Sequence, residues 1–351
     1  MIITRRLLHR AARVIAAVLL LGLALFAQFV PTPAVAADTL NVYSIWPENW
    51  ARPMFEEFEK ATGIKVNFVR FSSGEALARV IAEKNNPRVD VLFGGPVETF
   101  AAGINEGLFE PYKPPSFASL PTRFRHPDGQ WIAIADDPLV FMTNDKFLKE
   151  NNLKAPASWN DLLNPAYKNM LQMADARTSG TAVTRIFSVL EVNGRDENKA
   201  FDYMKKLRPN VQLYTKSGGG GTLPVGLGQA GAGIFFIVDA LDTKAKGYEV
   251  TISFPQEGIG TAAEGIALIK GAKNPALGKK LIDWATSPAM QGLFAKYKIN
   301  FVPAHPDVAL EPSLAAVLKG AKIFPIDADY AGANRKRIVE RWVNEVLNLR
   351  E

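Results

Sequence analysis

The sequence predicts an α/β protein built as two lobes, the first with a parallel sheet flanked by helices. Three observations carry that expectation. From Thr39 to Phe93 the chain alternates strand, helix, strand, helix, strand, the pattern of a parallel sheet with helices packed on it. About 314 residues remain once an apolar leader is set aside, more than a single core usually serves. Trp131–Phe141 reads as two strand pieces broken at Asp136-Asp137-Pro138, with two acids inside apolar runs. That pattern suits a chain crossing between lobes, and equally an ordinary turn.

The leader is residues 1–37. Arg5, Arg6, Arg10 and Arg13 make a positive start, Val14–Val30 is nearly all apolar, and Pro31 and Pro33 break it. Ala34-Val35-Ala36-Ala37 then offers small residues for cleavage, the pattern of a secretory signal peptide cut near Ala36–Asp38. The competing reading is a membrane anchor. It is the weaker one, because the apolar run is slightly short for a span and the small-residue site follows directly. Arg5-Arg6 leaves twin-arginine export open beside general secretion. The chain has no Cys, which excludes a lipid-anchored lipoprotein, disulfides and a thiolate metal site.

Charge changes meaning once the leader is removed. The whole chain has 41 Lys and Arg against 35 Asp and Glu; without the four leader arginines it has 37 against 35, a balance of +2. No basic stripe is present, so nucleic acid is not an expected partner. Beyond the leader, His126 and His305 are the only histidines, which argues against a His-rich metal centre.

The elements follow in order. Thr39–Ile45 and Ile64–Phe71 alternate as strands, Trp50–Thr62 and Glu75–Glu83 have helical spacing, and Val89–Phe93 is a short buried strand. In such sheets ligands sit beyond the carboxyl ends of the strands. Those ends are Ser44–Pro47 with Trp46, Ser72-Ser73-Gly74, and Gly94-Gly95-Pro96; none carries a nucleophile–base pair. Phe100–Gly107 and Asn144–Asn151 are expected helices. A helix with a Ser158 cap and a strand at Met170–Met173 follow.

Asp175–Gly194 is the segment around which the rest is organised. A polar loop, Asp175-Ala176-Arg177-Thr178-Ser179-Gly180, runs into a helix with Val183, Ile186, Phe187 and Leu190 inward, stopped at Asn193-Gly194. Free N–H groups at such a helix start favour an anion. Taken alone, the segment is more simply a helix capped by Thr178 or Ser179.

Glu197–Leu207 is a helix and Val211–Tyr214 a strand. Ser217-Gly218-Gly219-Gly220-Gly221-Thr222 follows, and without GxxxxGK[ST] it is no P-loop; a flexible turn or a second anion contact remains. Gly233–Val238 is a buried strand with Asp239 at its end, either a ligand contact or the N-cap of a helix over Ala240–Lys246. Val250–Phe254 and Thr261–Ile269 are strands, with Glu264 inside the second. Ala276–Ala285, Ala289–Lys296 and Arg335–Leu349 are helices, and Asn300–Pro303 is extended.

These residues resemble a family. "LNVYSIW", "FEKATGIKVNFV" and "SSGEALARVIAEKNNPRVDVLFGG", then "LIKGAKNPALGKKLIDWATSPAMQGLF" and "NRKRIVERWVNEV", are similar to the type II periplasmic solute-binding proteins of ABC importers, in the branch of iron(III)-type binders that includes phosphonate and hexose-phosphate carriers. The resemblance implies the type II two-lobe fold, each lobe a mixed sheet flanked by helices with the ligand cleft between the lobes, closing on one ligand, with lobes of 38–137 plus 265–320 and 138–264 plus 321–351. It also implies a periplasmic monomer, without cofactor, that delivers a small molecule to a permease and ATPase at the inner membrane. Closure on a ligand is population shift, not catalysis.

Ferric binders of that branch use adjacent tyrosines near the strand that here reads Phe235-Phe236-Ile237-Val238-Asp239, and no Tyr lies between Thr222 and Gly247. Tyr214 and Tyr330 remain. The loops instead suit a phosphorylated or phosphonate ligand. The candidate ligand residues are Ser44, Trp46, Ser72, Ser73, Gly74, Gly95, Asp137, Thr178, Ser179, Gly180, Thr181, Ser217, Gly218, Asp239 and Glu264. The last two, with Trp46, would meet the organic half, an ammonium or sugar hydroxyls. Ferric iron is one alternative, and a polyamine or thiamine-type cation met by Trp46, Trp50, Asp239 and Glu264 is another. A hydrolase would need a metal cluster or activated nucleophile that no motif supplies.

Overall fold

The computed structural model describes residues 38–348; the leader and Leu349 lie outside the described residues. The chain runs β1 (Thr39–Ser44), α1 (Glu48–Thr62), β2 (Lys65–Arg70), α2 (Ser73–Ala82), β3 (Val91–Pro96), α3 (Val97–Asn105), β4 (Phe109–Glu110), β5 (Ile132–Asn144), α4 (Asp145–Glu150), β6 (Leu171–Ala174), α5 (Gly180–Val192), α6 (Glu197–Leu207) and β7 (Val211–Thr215). It continues with α7 (Thr222–Gly226), β8 (Ala232–Phe236), α8 (Ile237–Ala245), β9 (Val250–Ser253), β10 (Ile259–Ile269), α9 (Pro275–Ala285), α10 (Pro288–Gln291), α11 (Leu293–Tyr297), β11 (Val302–Pro303), α12 (Pro312–Leu318), β12 (Ile323–Pro325) and α13 (Ala328–Trp342).

The main path of strands is β2-β1-β3-β10-β5-β8-β6-β7. The first three are parallel, as the β-α-β-α-β pattern predicts. β10 runs antiparallel to both β3 and β5. β6 lies parallel between β7 and β8. β3, β5 and β10 are buried along their whole lengths, which is why apolar residues fill both faces instead of alternating, with Asp136, Asp137 and Glu264 as acids inside them.

Helix α1 lays Met54, Phe55 and Phe58 on this sheet and ends at Gly63, whose φ of 74° lets its N–H bond Glu59 O at 2.8 Å. Phe58 is completely buried, and its truncation to Ala would cost roughly 3–5 kcal/mol. Helix α13 packs on α3 and buries Ile338 and Trp342. Among the described residues no helix is long and apolar enough to cross a membrane.

Five local expectations need correction. The strand pieces around Asp136-Asp137-Pro138 are one strand, β5, with no turn. Its partner changes there instead: Pro138 is opposite Thr261 of β10, and Leu139 is opposite Phe236 of β8. Proline's fixed φ suits extended backbone, and its missing N–H falls where one ladder hands over to the next. The Ser158-capped element is a 3-10 turn, Trp159–Leu163, held by a Ser158/Asp161 capping box. The expected helix Ala289–Lys296 is divided into α10 and α11 around Gly292. The last helix starts earlier, at Ala328, because Asp327 caps it by accepting from Tyr330 N, and it passes into a π-turn at Val343–Leu347. Asp239 is not an N-cap: α8 begins at Ile237, so Asp239 lies inside its first turn.

Candidate functional site

Two helix starts face each other. Ser72 precedes α2, and its N–H donates to Glu75 Oε2 at 3.3 Å, half of a capping box. Opposite, Ser179 occupies the N-cap position of α5 with φ −105° and ψ 131°, yet its side chain makes no capping bond. Thr178 does not cap either: its Oγ1 turns away to donate to Lys216 O at 2.7 Å. The helical ladder of α5 begins with Val183 N to Ser179 O at 3.3 Å, leaving the N–H groups of Gly180, Thr181 and Ala182 ahead of it.

The two segments touch directly. Gly74 N donates to Thr178 O at 2.8 Å. A Cβ on Gly180 would stand 2.5 Å from Ser73 Oγ and 2.8 Å from Pro96 Cδ, so only glycine permits this approach. Two side-chain bridges accompany it. Thr184 Oγ1 of α5 donates to Glu98 Oε1 of α3 at 3.0 Å, in a fully buried contact. Lys216 Nζ, just after β7, meets Glu75 Oε1 of α2 at 2.7 Å.

Between the segments lies a cavity of about 60 Å³, lined by eleven of the expected residues: Trp46, Ser72, Ser73, Gly95, Asp137, Ser179, Gly180, Thr181, Gly218, Asp239 and Glu264. The hydroxyls of Ser73, Ser179 and Thr181 belong to side chains only 3%, 2% and 7% exposed. Among the described residues none of these three hydroxyls has a hydrogen-bond partner in the protein. Buried hydroxyls are normally satisfied; three left open around one cavity form a ready set of donors for a ligand's oxygens.

Larger hollows exist elsewhere, one of about 460 Å³ beside Trp159 and Tyr203 and one of about 280 Å³ among Val80, Leu108 and Ile269. Neither gathers convergent buried hydroxyls and carboxylates, so chemistry rather than size selects the smaller cavity.

Three carboxylates line the same space. Glu264 is fixed by Trp46 Nε1, which donates to its Oε2 at 2.7 Å, and by Gly95 N at 2.6 Å, while its Oε1 has no partner. Burial pushes its carboxyl up to about 8, against the pull of those two donors. Asp239 is raised to about 7 by burial, with Asp242 adding to the shift and Arg70 opposing it. Asp137 is raised by burial and then by its neighbours Glu264 and Asp239; Val238 N reaches it at 3.4 Å. Burial thus raises the proton affinity of all three carboxyls, and wherever one holds its proton it can donate as well as accept.

Trp46 is stacked on Phe301, ring centres 4.4 Å apart, and meets Phe93 edge-on at 5.0 Å.

Four expected residues do not line the cavity. Ser44 is fully buried, and its Oγ donates to Trp46 O at 3.0 Å, which orients the tryptophan. Gly74 supplies the main-chain join. Thr178 is tied to Lys216. Ser217 uses its carbonyl to accept from Thr215 Oγ1 and from Gly220 N, shaping the glycine turn.

Sequence reasoning missed Arg70, Gly219 and Phe301, all of which line the cavity, together with Trp50, which it named only for the cation alternative. Arg70 ends β2, one of the strands whose carboxyl ends were already the expected ligand side, so its position held the signal. Among the described residues it is the one Lys or Arg in the lining. Tyr214 and Tyr330 lie elsewhere, packed against Trp342 and Phe187. Among the described residues no group of three or more His, Cys, Asp or Glu is disposed to hold a metal ion.

A family model described as bacterial extracellular solute-binding protein matches residues 53–321. The chain belongs to that family. An uncharacterised protein of Haemophilus influenzae is 34% identical to this solute-binding protein over 296 residues, 82% of this chain and 85% of the other. The structure of the periplasmic binding protein AfuA from Actinobacillus pleuropneumoniae, with fructose-6-phosphate bound, superposes with a TM-score of 0.84 at 30% identity, covering 90% of this chain and 100% of that one. A Salmonella typhimurium protein with the provisional name of 2-aminoethylphosphonate-binding periplasmic protein is 26% identical over 326 residues, 88% of this chain and 93% of the other. The two-lobe type II periplasmic-binding-protein fold expected for this solute-binding protein is the fold of its structural neighbours.

Proposed function

We propose that this chain is the substrate-binding component of an ABC importer, which captures a small phosphorylated or phosphonate solute by lobe closure and delivers it to a permease and its ATPase. The observation that carries the reading is the set of three unpartnered hydroxyls, Ser73, Ser179 and Thr181, around one cavity at two facing helix starts. Donors so arranged suit the several oxygens of a phosphate, and Arg70 adds a charge. A water needs roughly 10–15 Å³, so about 60 Å³ admits a group of phosphate size, and a longer ligand requires the walls to part. The phosphonate and sugar-phosphate names of the relatives support the same reading.

The non-phosphate end would meet Glu264, Asp239 and Trp46. Burial raises the proton affinity of these carboxyls, which suits sugar hydroxyls, or a single ammonium that keeps one carboxylate ionised, better than a polyamine dication that needs several fixed negative charges. Ferric iron is disfavoured by a lining without tyrosine among the described residues. The role is binding without catalysis, in a monomer acting in the periplasm after removal of residues 1–37. The lobe boundaries, 38–137 plus 265–320 and 138–264 plus 321–351, are part of the proposal; the change of β5's partners at Pro138 supports the first crossing.

Calorimetry against 2-aminoethylphosphonate, hexose phosphates, spermidine, thiamine and ferric ion tests this. Tight binding of a phosphorylated or phosphonate compound is the expected result. Tight ferric or spermidine binding with none of those would overturn it, as would turnover of p-nitrophenyl phosphate.

A further inference from the structure

The cavity's one cation has a rival claimant just outside. Arg70 has a single hydrogen-bond partner, Ser72 Oγ, at 3.4 Å, and no carboxylate pairs with it among the described residues. Yet two carboxylates act on it: Glu75, on the first turn of α2, and Asp239, on the opposite wall. Glu75 lies five residues along the same chain segment, beyond the turn that places Ser72 and Ser73 in the cavity. It is kept from Arg70 by other bonds. Its Oε2 accepts from Ser72 N, and its Oε1 is taken at 2.7 Å by Lys216.

Lys216 comes from the other side. It follows β7 and precedes the Ser217–Gly221 turn, and its carbonyl accepts from Thr178 Oγ1 in the loop before α5. The ammonium thus reaches Glu75 from the segment that carries Ser179, Gly180 and Thr181. The ion pair spans the two helix starts, which the Gly74–Thr178 main-chain bond joins here.

We infer that Lys216 is a positioning residue: by occupying Glu75 on closure it leaves the Arg70 guanidinium unpaired and available to the anionic group of the ligand. The inference rests on the phosphorylated-ligand reading above. As a simple latch the pair would do little, because Lys216 is 71% exposed and exposed ion pairs contribute weakly. Its effect comes through Glu75. Without the lysine, Glu75 keeps only its bond from Ser72 N, its Oε1 is released as an opposite charge acting on Arg70 from the same short segment, and their pairing competes with the ligand.

The test is calorimetry with fructose 6-phosphate and 2-aminoethylphosphonate on the full mature chain, with thermal melts to verify folding. Lys216→Met should weaken binding about tenfold, and Lys216→Arg should retain it within about threefold. Glu75→Gln keeps the capping geometry, since Gln serves at that position. The double variant Glu75→Gln/Lys216→Met should therefore recover wild-type affinity within about threefold. A mere latch predicts no such recovery, because both partners are gone. Lys216→Met binding as tightly as wild type, or a double variant no better than Lys216→Met, would overturn the inference while leaving the ligand reading intact. A wild-type chain that binds neither compound would overturn the ligand reading itself, and the inference with it.

Discussion

Trp46 Nε1 and Glu264 Oε2, 218 residues apart in sequence, meet at 2.7 Å in the wall of the cavity. Among the described residues the second carboxyl oxygen of Glu264 is buried and has no hydrogen-bond partner. Trp46→Phe keeps an aromatic ring beside Phe301 but removes the indole donor together with part of the buried ring. The variant should fold, and it should lose about 1–2 kcal/mol of ligand affinity because Glu264 is no longer held in one orientation. Calorimetry with the tightest-binding compound of the panel measures this; an unchanged dissociation constant would place the ligand elsewhere.

The double variant Ser179→Ala/Thr181→Ala removes two of the three open hydroxyls. Ser179 makes no side-chain capping bond, so the usual penalty of about 1 kcal/mol for losing an N-cap should be absent. The melting temperature should stay close to wild type while affinity falls by about 2 kcal/mol or more. Unchanged affinity would return the start of α5 to a structural role.

Gly180→Ala tests the approach of the two helix starts. Its methyl would collide with Ser73 Oγ and with the Pro96 ring, across the contact rather than within its own helix. Alanine is otherwise a better helix residue than glycine. The variant should therefore remain folded, bind ligand at least tenfold more weakly, and show a larger radius of gyration with ligand by small-angle X-ray scattering.

Glu264 ties stability to pH. Its carboxyl, raised to about 8 from an ordinary value near 4.5, grips its proton more tightly in the folded chain than in the unfolded one. The stabilisation is then fully present at low pH and is lost as pH rises through that window. Glu264→Gln cannot titrate, so its melting temperature should fall less between pH 5 and pH 8 than that of wild type. Parallel curves for the two chains would mean that Glu264 is not protonated at the acid end.

The first three parallel strands and most of the residues lining the cavity are legible in the sequence because local pattern sets them. Alternating and helical spacings place β1 to β3, and the ends of those strands bring Trp46, Ser72, Ser73 and Gly95 to one side. What is not legible depends on partners far along the chain. Asp136-Asp137-Pro138 has the composition of a turn; only the strands on either side of it keep the backbone extended. Phe301 becomes a cavity residue by stacking on a tryptophan from the first strand end. Arg70 looks like the outer residue of an alternating strand, and its role emerges once Asp239 is brought near it. Thr178 and Ser217 carry the right hydroxyls, but their loops use them or their carbonyls to shape the backbone.

The bond from Gly74 N to Thr178 O joins peptide groups, not side chains. It specifies nothing about the residues around it except that position 74 carry no Cβ, which would overlap Arg177 O. Side chains facing the cavity can therefore be exchanged for others without touching this join. A scaffold of that kind separates the machinery of shutting from the choice of cargo, and redesign for a new solute could begin at Trp46, Asp239 and Glu264 with the seam left untouched.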